Sequence, residues 1–361
     1  MNGRMVVVGV IILLLFGVNV SGGFISEPND VIIVDDEGDG DYTSIKDALF
    51  FCNPGDTIEV YSGLYREEDI MILKENISLL GIDHEYGEGN DTGKPFIKPD
   101  GNSTVIVVEA NHVIVSNFRI ELLSSSYCIR LGADDPDFHQ NNNTISDCII
   151  RNPYGSGIYF IGIGRDINII NNQISNCAKH GIYGGSLDHK ITGNEIINCD
   201  YAGIEIFCNG WKNVSYNTIK SCRNGIKLYL SSSNILYGND IGSCTIGILN
   251  YEGRNNVIKG NNIELCPIGF SNEYGNGNLI VKNNFIECWN FLPWFKVSFI
   301  DFLTKDKWKD NYWDTWKGFG TKFISGILVF GIPLGEFALP IPIPCFVFDW
   351  HPASEPYDIE L

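Results

Sequence analysis

The chain of 361 residues is poor in charge and poorest in positive charge. Charged residues make up 19%, against the roughly 25% usual in globular proteins. Basic residues number 25 and acidic residues 44, a formal net charge of −19. That balance argues against nucleic acid and anionic membranes as partners, and suits a surface protein or one that collects cations such as calcium. Sites built on a P-loop or a dinucleotide fingerprint are missing as well. Beyond the first twenty residues no long uninterrupted apolar run exists, because Pro333, Glu336, Pro340, Pro342 and Pro344 break residues 323–348. What is plentiful is glycine, at 39 residues, and asparagine, at 37, of which 27 lie between Asn141 and Asn290. Dense Gly and Asn with little charge means many turns and excludes a helical bundle.

Arg4 is the only charge before an apolar run over residues 5–20, and Ser21-Gly22-Gly23 follows. This is the layout of a secretory signal, residues 1–23, with an uncleaved N-terminal anchor as the alternative. It places the protein outside the cell or on its surface and makes that segment the only route to a membrane. The remainder divides into an N-terminal cap (24–55), a repeat region (56–290) and a C-terminal cap or tail (291–361).

The repeat is N-x-[I/F]-x-x-C. It starts at Asn172, Asn194, Asn217, Asn239, Asn261 and Asn283 and ends at Cys177, Cys199, Cys222, Cys244, Cys266 and Cys288, in steps of 22 or 23 residues. A Gly-Ile pair keeps the same time, from Gly157-Ile158 to Gly247-Ile248 and then Gly269-Phe270. An aliphatic residue stands five before each central Ile or Phe, from Ile169 to Ile280. Asn117…Ile120 and Asp147…Ile150 extend the series backwards with looser spacing. Such a period leaves room for two or three strands of three to five residues and none for a ten-residue helix, and the leucine ladder of leucine-rich repeats is absent.

The fold that satisfies this pattern is all-β: a right-handed, single-stranded parallel β-helix in which each repeat is one coil, about 4.8 Å above the last. Roughly ten coils make a rod of about 45 Å. The isoleucines stack as inward ladders, and the asparagines stand at corners, where they tolerate a left-handed backbone and bond from coil to coil. The glycine before Ile marks a place too tight for a Cβ. Residues 42–52 read as an amphipathic helix with Ile45, Ala48, Leu49 and Cys52 on one face, closing the N-terminal end. Six of the seven tryptophans fall at 289–350 and form an aromatic C-terminal cap.

Three stretches carry a resemblance over nearly all of the mature chain. They are Asp41-Tyr42-Thr43-Ser44-Ile45-Lys46-Asp47-Ala48 leading to Gly55-Asp56-Thr57-Ile58-Glu59-Val60 and Gly63-Leu64-Tyr65, then the N-x-I and Gly-Ile coils, then Asn311-Tyr312-Trp313 with the tail from Asp349-Trp350-His351-Pro352. They resemble the NosD-like, carbohydrate-binding and sugar-hydrolase (CASH) class of β-helix proteins, with the pectin-lyase-like fold. The resemblance implies the fold; that fold hosts lyases, hydrolases, epimerases, esterases and adhesins, so it names no activity. The family's name implies periplasmic copper-related work. Copper needs clustered His, Met or exposed Cys, whereas only Met71 survives signal removal and the six histidines form no close-spaced motif, so copper is not carried over.

The residue after each Gly-Ile faces outward, giving a column Arg130, Tyr159, Tyr183, Glu205, Lys227, Leu249 and Ser271. Two further on come Ile161, Gly185, Phe207, Tyr229, Tyr251 and Glu273. One long face therefore carries aromatics flanked by charge. Tyr159, Tyr183, Glu205, Phe207, Tyr229 and Tyr251 are the candidates for binding a polysaccharide or cell-envelope glycan, although strands favour such residues in any case. The largest insertion, residues 132–143, supplies Asp134, Asp135, Asp137 and His139, and following turns add Asp166 and then Asp188-His189. The carboxylates Asp134, Asp135, Asp137, Asp166 and Asp188 are weak candidates for Ca²⁺, and no other cofactor is expected. In β-helix lyases Ca²⁺ acidifies a uronate and a basic residue takes the proton; Arg130 or Lys227 would do so here, with Asp134, Asp135, Asp137 and His139 as further catalytic candidates. No G-H-G or R-I-K element accompanies them. The function expected is therefore glycan binding or surface display without catalysis. A polysaccharide lyase or hydrolase, and a structural envelope or adhesion scaffold, are the alternatives. The cysteine line, a coil apart, cannot wrap a metal tetrahedrally and reads as buried thiols, with pairing between neighbours as the alternative. Asn76, Asn90, Asn102, Asn142 and Asn213 are N-glycosylation acceptors in an exported chain.

Overall fold

The computed structural model describes residues 30–132, 141–161, 164–185, 188–208, 210, 212–288, 306–316, 320–334 and 337–359. The segment 1–23, Trp211 and the loop residues Asp134, Asp135, Asp137 and His139 lie outside them. Short strands build three sheets, of fourteen, nine and eleven strands. The fourteen-stranded sheet starts at Val31–Val34, the nine-stranded sheet runs from Ile70–Ile72 to Ile268–Glu273, and the eleven-stranded sheet runs from Leu64–Tyr65 to Tyr312–Trp313. Apart from an antiparallel hairpin at the C-terminal edge of the fourteen-stranded sheet, neighbouring strands are one coil apart and parallel, as in Ile191↔Val214↔Leu236↔Ile258↔Ile280. The eleven-stranded sheet counts about eleven coils of a parallel solenoid.

The core is the set of aliphatic ladders. Ile145, Ile169, Ile191, Val214, Leu236, Ile258 and Ile280 line up on one side and are fully buried. Ile150, Ile174, Ile196, Ile219, Ile241 and Ile263 line a second side, and Phe285 continues them onto Trp313. Each buried Ile contributes roughly 1.5–3 kcal/mol. The Gly-Ile glycines sit at the starts of strands in the nine-stranded sheet, pressed against the second ladder. A Cβ on Gly203 would stand 2.4 Å from Ile219 Cγ2 and 2.9 Å from the Gly225 carbonyl oxygen. Overpacking at such a site costs about 1–3 kcal/mol. Gly203→Ala is expected to lower the denaturant midpoint by that amount with its m-value unchanged; an unchanged midpoint would show that the coils can spread.

The asparagine ladder is a continuous chain of amides. Asn172 Nδ2 donates to Asn194 Oδ1 (3.0 Å), Asn194 to Asn217 (2.9 Å), Asn217 to Asn239 (2.9 Å), Asn239 to Asn261 (2.8 Å) and Asn261 to Asn283 (2.9 Å). Asn283 donates to Asn311, and Asn311 to the buried carboxylate of Asp349. Trp313 Nε1 and the Asn311 backbone N–H donate to the same Asp349 oxygen. A carboxylate only accepts, so it is a fitting last member of a chain of donors. Asp306 ends a second ladder in the same way, accepting from Asn278 and Asn272; burial pushes it up to about 6.

Two expectations about the corners change. The left-handed residue is the one before each ladder asparagine: Asn171, Gly193, Tyr216, Gly238, Gly260, Lys282 and Asp310 have φ between 55° and 69°. The asparagine follows the corner, which lets its side chain turn inward along the stack. Asn117 and Asp147 also hold left-handed positions, with φ of 69° and 56°. Because Ile120 and Ile150 are in register with Ile174, they are equivalents of Asn171 rather than of Asn172. Their looser spacing in the sequence was that one-residue offset.

The one helix among the described residues is Ile45–Phe51, with Ile45, Ala48, Leu49 and Cys52 buried. Ser44 caps it and the Glu67 carboxylate accepts from the N–H groups of Ile45 and Lys46. Lys74 Nζ bonds the carbonyls of Leu49, Phe50 and Cys52 at its other end. Beyond the coils, Lys322–Leu334 and Phe337–Asp349 form an antiparallel hairpin that the sequence reading did not contain. Pro340, Pro342 and Pro344 alternate, so their missing donors share one edge and the pairing continues. The tail then returns to the last coils: Tyr357 exchanges two backbone hydrogen bonds with the Asn284 amide.

Candidate functional site

The outer face of the nine-stranded sheet carries the expected columns. Arg130, Tyr159, Tyr183, Glu205, Lys227, Leu249 and Ser271 are in register, one per coil. Phe207, Tyr229, Tyr251 and Glu273 form the second column, with Ile161 beside Gly185 at its start. Parallel pairing holds these side chains at strand spacing, about 4.8 Å.

The rings pack on one another along the rod. Tyr127 stacks on Tyr159 (centroids 4.4 Å), Tyr159 on Tyr183 (5.5 Å), and Tyr183 meets Phe207 (5.0 Å). Tyr229 stacks on Tyr251 (5.2 Å). Neighbours cover much of each ring face, so the strip offers mostly ring edges to a ligand. Burial raises the phenols of Tyr127 and Tyr183 and keeps them as neutral hydrogen-bonding groups at pH 7.

Between the two aromatic groups lies a charged cluster. Glu205 is only 6% exposed although it points away from the solenoid core. Lys227 Nζ donates to Glu205 Oε1 at 2.9 Å, and His180 Nδ1 stands 3.4 Å from Oε2. Neither Oε2 nor His180 Nδ1 has a hydrogen-bond partner among the described residues. Burial, then Lys227 and Lys179, push His180 down to about 4, so it is neutral at pH 7. Tyr183 stacks on its ring at 4.5 Å and Tyr201 covers it at 5.2 Å. Sequence reasoning found Glu205 and Lys227 but missed His180, Tyr201 and Tyr127. His180 is two before Ile182 and in register with Ala202 and Asn224, a third column that counting outward only after Gly-Ile passes over.

Arg130 is three coils from Glu205, separated by Tyr159 and Tyr183, and forms its own ion pair with Glu109 at 2.7 Å. Asp166 and Asp188 are neighbours in adjacent coils, linked by a backbone hydrogen bond of 2.9 Å, but join no group of three ligand atoms among the described residues. His189 does not extend that line of acids. It is turned inward, 3% exposed, against Phe160, because its position is the ladder position just before the strand. Burial and Lys212 push it down to about 3.

Residues 97–241 match the family model described as right handed beta helix region, and residues 207–327 match that of the periplasmic copper-binding protein (NosD). The chain is a NosD-like right-handed β-helix protein. No curated protein matches its sequence. Among solved structures it is similar to the periplasmic alginate epimerase AlgG, at 14% identity over 70% of each chain with a TM-score of 0.42. It is also similar to a mannuronan C-5 epimerase A-module from Azotobacter vinelandii, at 13% identity over 64% of this chain and 78% of that one with a TM-score of 0.47. XylC in its complex with xylose is 12% identical over 89% of this chain and 73% of that one, with a TM-score of 0.48.

The described residues of this NosD-like protein do not fit copper. Their two groups of three potential metal ligands are made of carboxylates alone, without the imidazole, thiolate or thioether that copper favours. The cysteine ladder is a single line of thiols a coil apart, which does not surround a metal tetrahedrally. Cys177 and Cys199 are in register, and all six ladder cysteines are buried. No disulfide joins the ten described cysteines. Burial pushes Cys288 up to about 12 and the Cys222 thiol pushes Cys244 up to about 12, whereas hydrogen bonds from Cys199 and Cys244 hold Cys222 down at about 4, so the ladder is a chain of thiols bonded to one another and to strand carbonyls. The five acceptor asparagines Asn76, Asn90, Asn102, Asn142 and Asn213 are all exposed.

A cleft of about 820 Å³ lies on another side of this NosD-like rod, lined by Tyr216, Tyr237, Lys259, Lys282, Tyr357 and Asp358. Lys259 Nζ sits 5.8 Å from the centroid of the Tyr237 ring. Tyr216 and Lys282 belong to the column of left-handed corner residues, one before each ladder asparagine.

Proposed function

We propose that this protein is an exported β-helix that binds a polysaccharide or cell-envelope glycan along the outer face of its nine-stranded sheet, without catalysis. The observation that carries this reading is the strip itself. One rigid face places Tyr159, Tyr183, Phe207, Tyr229 and Tyr251 in line, and sets the Glu205–Lys227 pair among them. A repeating surface suits a repeating ligand: the rings give apolar contact along the chain, while phenols and charged groups meet hydroxyls. The apolar run at residues 5–20 supports export. The pairing of Lys227 and Arg130 with acids favours a neutral or weakly acidic chain over a dense polyanion.

The test is titration with a panel of glycans, followed by Tyr183→Ala on whichever binds. The ring touches Tyr159, Phe207 and His180, so its loss opens the strip at the centre. Affinity is expected to fall by about 1–3 kcal/mol, roughly 5- to 150-fold, with the circular dichroism unchanged. Equal affinities would make this face ordinary strand surface.

A second reading, polysaccharide cleavage or epimerisation at Glu205 and His180, is favoured by one observation. A buried carboxylate oxygen and a neutral imidazole nitrogen face each other with no other partner, which is an acid–base arrangement. New reducing ends, unsaturated products or altered uronate stereochemistry in the same incubations would select it.

A further inference from the structure

The acidic residues that no glycan reading uses gather at the N-terminal end of the rod. Carboxylate oxygens of Asp35, Glu37 and Glu85 all lie within 4.8 Å of one another, and so do those of Asp36, Glu37 and Asp91. Two chain segments meet there, residues 35–37 and the loop at residues 83–93. Among the described residues no lysine, arginine or histidine forms an ion pair with any of the five.

A cluster of acids on a surface is ordinary; a buried one with an orphaned oxygen is not. Asp35 has no exposed surface. Its Oδ2 accepts from the N–H groups of Gly38 and Asp39, both at 3.1 Å, which fixes the carboxylate. Its other oxygen, Oδ1, is buried without a hydrogen-bond partner, and the carboxylate belongs to the group with Glu37 and Glu85. Asp36 repeats the arrangement: one oxygen accepts from Leu64 N–H at 3.0 Å and the other is buried and unpartnered. Gly63 and Gly89 keep the space open, since a Cβ would fall 1.9 Å from Asp36 Oδ1 and 2.4 Å from the Glu85 carboxyl. Like charges this close cannot all ionise without a cation between them.

We propose that Asp35, Asp36, Glu37, Glu85 and Asp91 form a binding site for one hard divalent cation, Ca²⁺, which ties the turn after the first strand to the loop at residues 83–93. Two overlapping groups share Glu37, and within each the oxygens lie within 4.8 Å of one another, which suits ligands at about 2.4 Å around an ion held at their common edge. All donors are carboxylate oxygen, which excludes softer transition metals. Five carboxylates from two segments give an irregular, flexible shell, which Ca²⁺ accepts and Mg²⁺, with its strict octahedron, resists.

The test uses the full chain stripped with a chelator and titrated with CaCl₂ and, separately, MgCl₂. The wild type is expected to show one saturable Ca²⁺ site at least tenfold tighter than Mg²⁺, and a melting temperature that rises with Ca²⁺. The decisive variant is E37Q/D91N, because neither side chain accepts a hydrogen bond from a described residue and the fold has nothing else to lose. It should melt above the metal-free wild type, through relieved repulsion, and no longer respond to Ca²⁺. Asp35→Asn should likewise lose the Ca²⁺ response. Tb³⁺ luminescence sensitised through Tyr86, next to Glu85 in the chain, reads the same site by another route. Absence of saturable Ca²⁺ binding in the wild type overturns the proposal. Wild-type affinity retained in E37Q/D91N overturns it too, and would move the ion to the acids of residues 132–143.

Discussion

Replacing Asn239 with alanine is expected to cost the solenoid about 2–5 kcal/mol, although the side chain lies in the middle of a run of identical neighbours. Asn239 Oδ1 accepts from the backbone N–H of Asn217 (3.0 Å) and from its Nδ2 (2.9 Å). Its own Nδ2 donates to the Val214 carbonyl and to Asn261 Oδ1, both at 2.8 Å. The site is fully buried, so no water replaces what is lost. The Asn217 N–H is stranded, and the Val214 carbonyl and Asn261 Oδ1 each lose a donor, a group left unpaired costing about 1–3 kcal/mol. Equilibrium urea unfolding measures the sum. Asn239→Asp separates hydrogen bonding from shape: its oxygens still accept from Asn217 but face Val214 O and Asn261 Oδ1 with no donor. At pH 7 that places an unpaired charge in the core, so Asp should be at least as damaging as Ala. Protonation restores a donor, so acidification should narrow the gap to wild type. A loss below about 0.5 kcal/mol for Asn239→Ala would mean that the ladder follows the fold without stabilising it.

The same ladder shows which parts of the molecule the sequence makes legible. A 22-residue period in three registers can be met only by stacked coils, because every Ile, Asn and Gly must find the same environment in each copy. Residues whose role is set by the repeat, such as Ile219, Asn239 and Gly203, could therefore be assigned from spacing alone. Residues that break the repeat could not. His189 and Lys212 occupy a ladder position that carries asparagine at Asn234 and Asn256, so they read as loop residues although both are buried. The left-handed corner was placed one residue late because Asn171-Asn172 offers two asparagines, and only the register of Ile174 with Ile150 decides which one turns inward. His180 belongs to a column whose members, Ser156, Ala202, Asn224 and Ile246, share no chemistry. The acids around Asp35 come from segments about fifty residues apart, and no local pattern links Asp35 to Glu85.

Lys227→Met is expected to destabilise the protein by about 3–5 kcal/mol at pH 8, and by clearly less at pH 5. The pair it breaks is buried: the side chain of Glu205 is 7% exposed and that of Lys227 is 18%. Removing one partner leaves the other charge desolvated and uncompensated, which costs more than the pair itself contributes. The pH dependence comes from His180, whose Nδ1 faces the same carboxylate at 3.4 Å. In the wild type burial and the positive charges of Lys227 and Lys179 hold its folded-state pKa at about 4, below its ordinary 6.5. The unfolded chain then takes up a proton below pH 6.5 that the folded chain refuses until about 4, so this group removes stability as pH falls through that window. In the variant Lys227 is gone and Glu205 keeps its charge, so the histidine's pKa rises and imidazolium becomes the counterion. Once the folded pKa exceeds 6.5 the sign reverses: the stability it adds is fully present below 6.5 and is lost as pH rises through the folded value. Subtracting wild type from variant cancels the other titrating groups, His189 and Asp306 among them. Urea unfolding at both pH values reads the difference, and Lys227→Met with Glu205→Gln should show a smaller loss and no such pH dependence. An equal loss at pH 5 and pH 8 would show that His180 does not sense Glu205, and would take away the acid–base pair on which the catalytic reading rests.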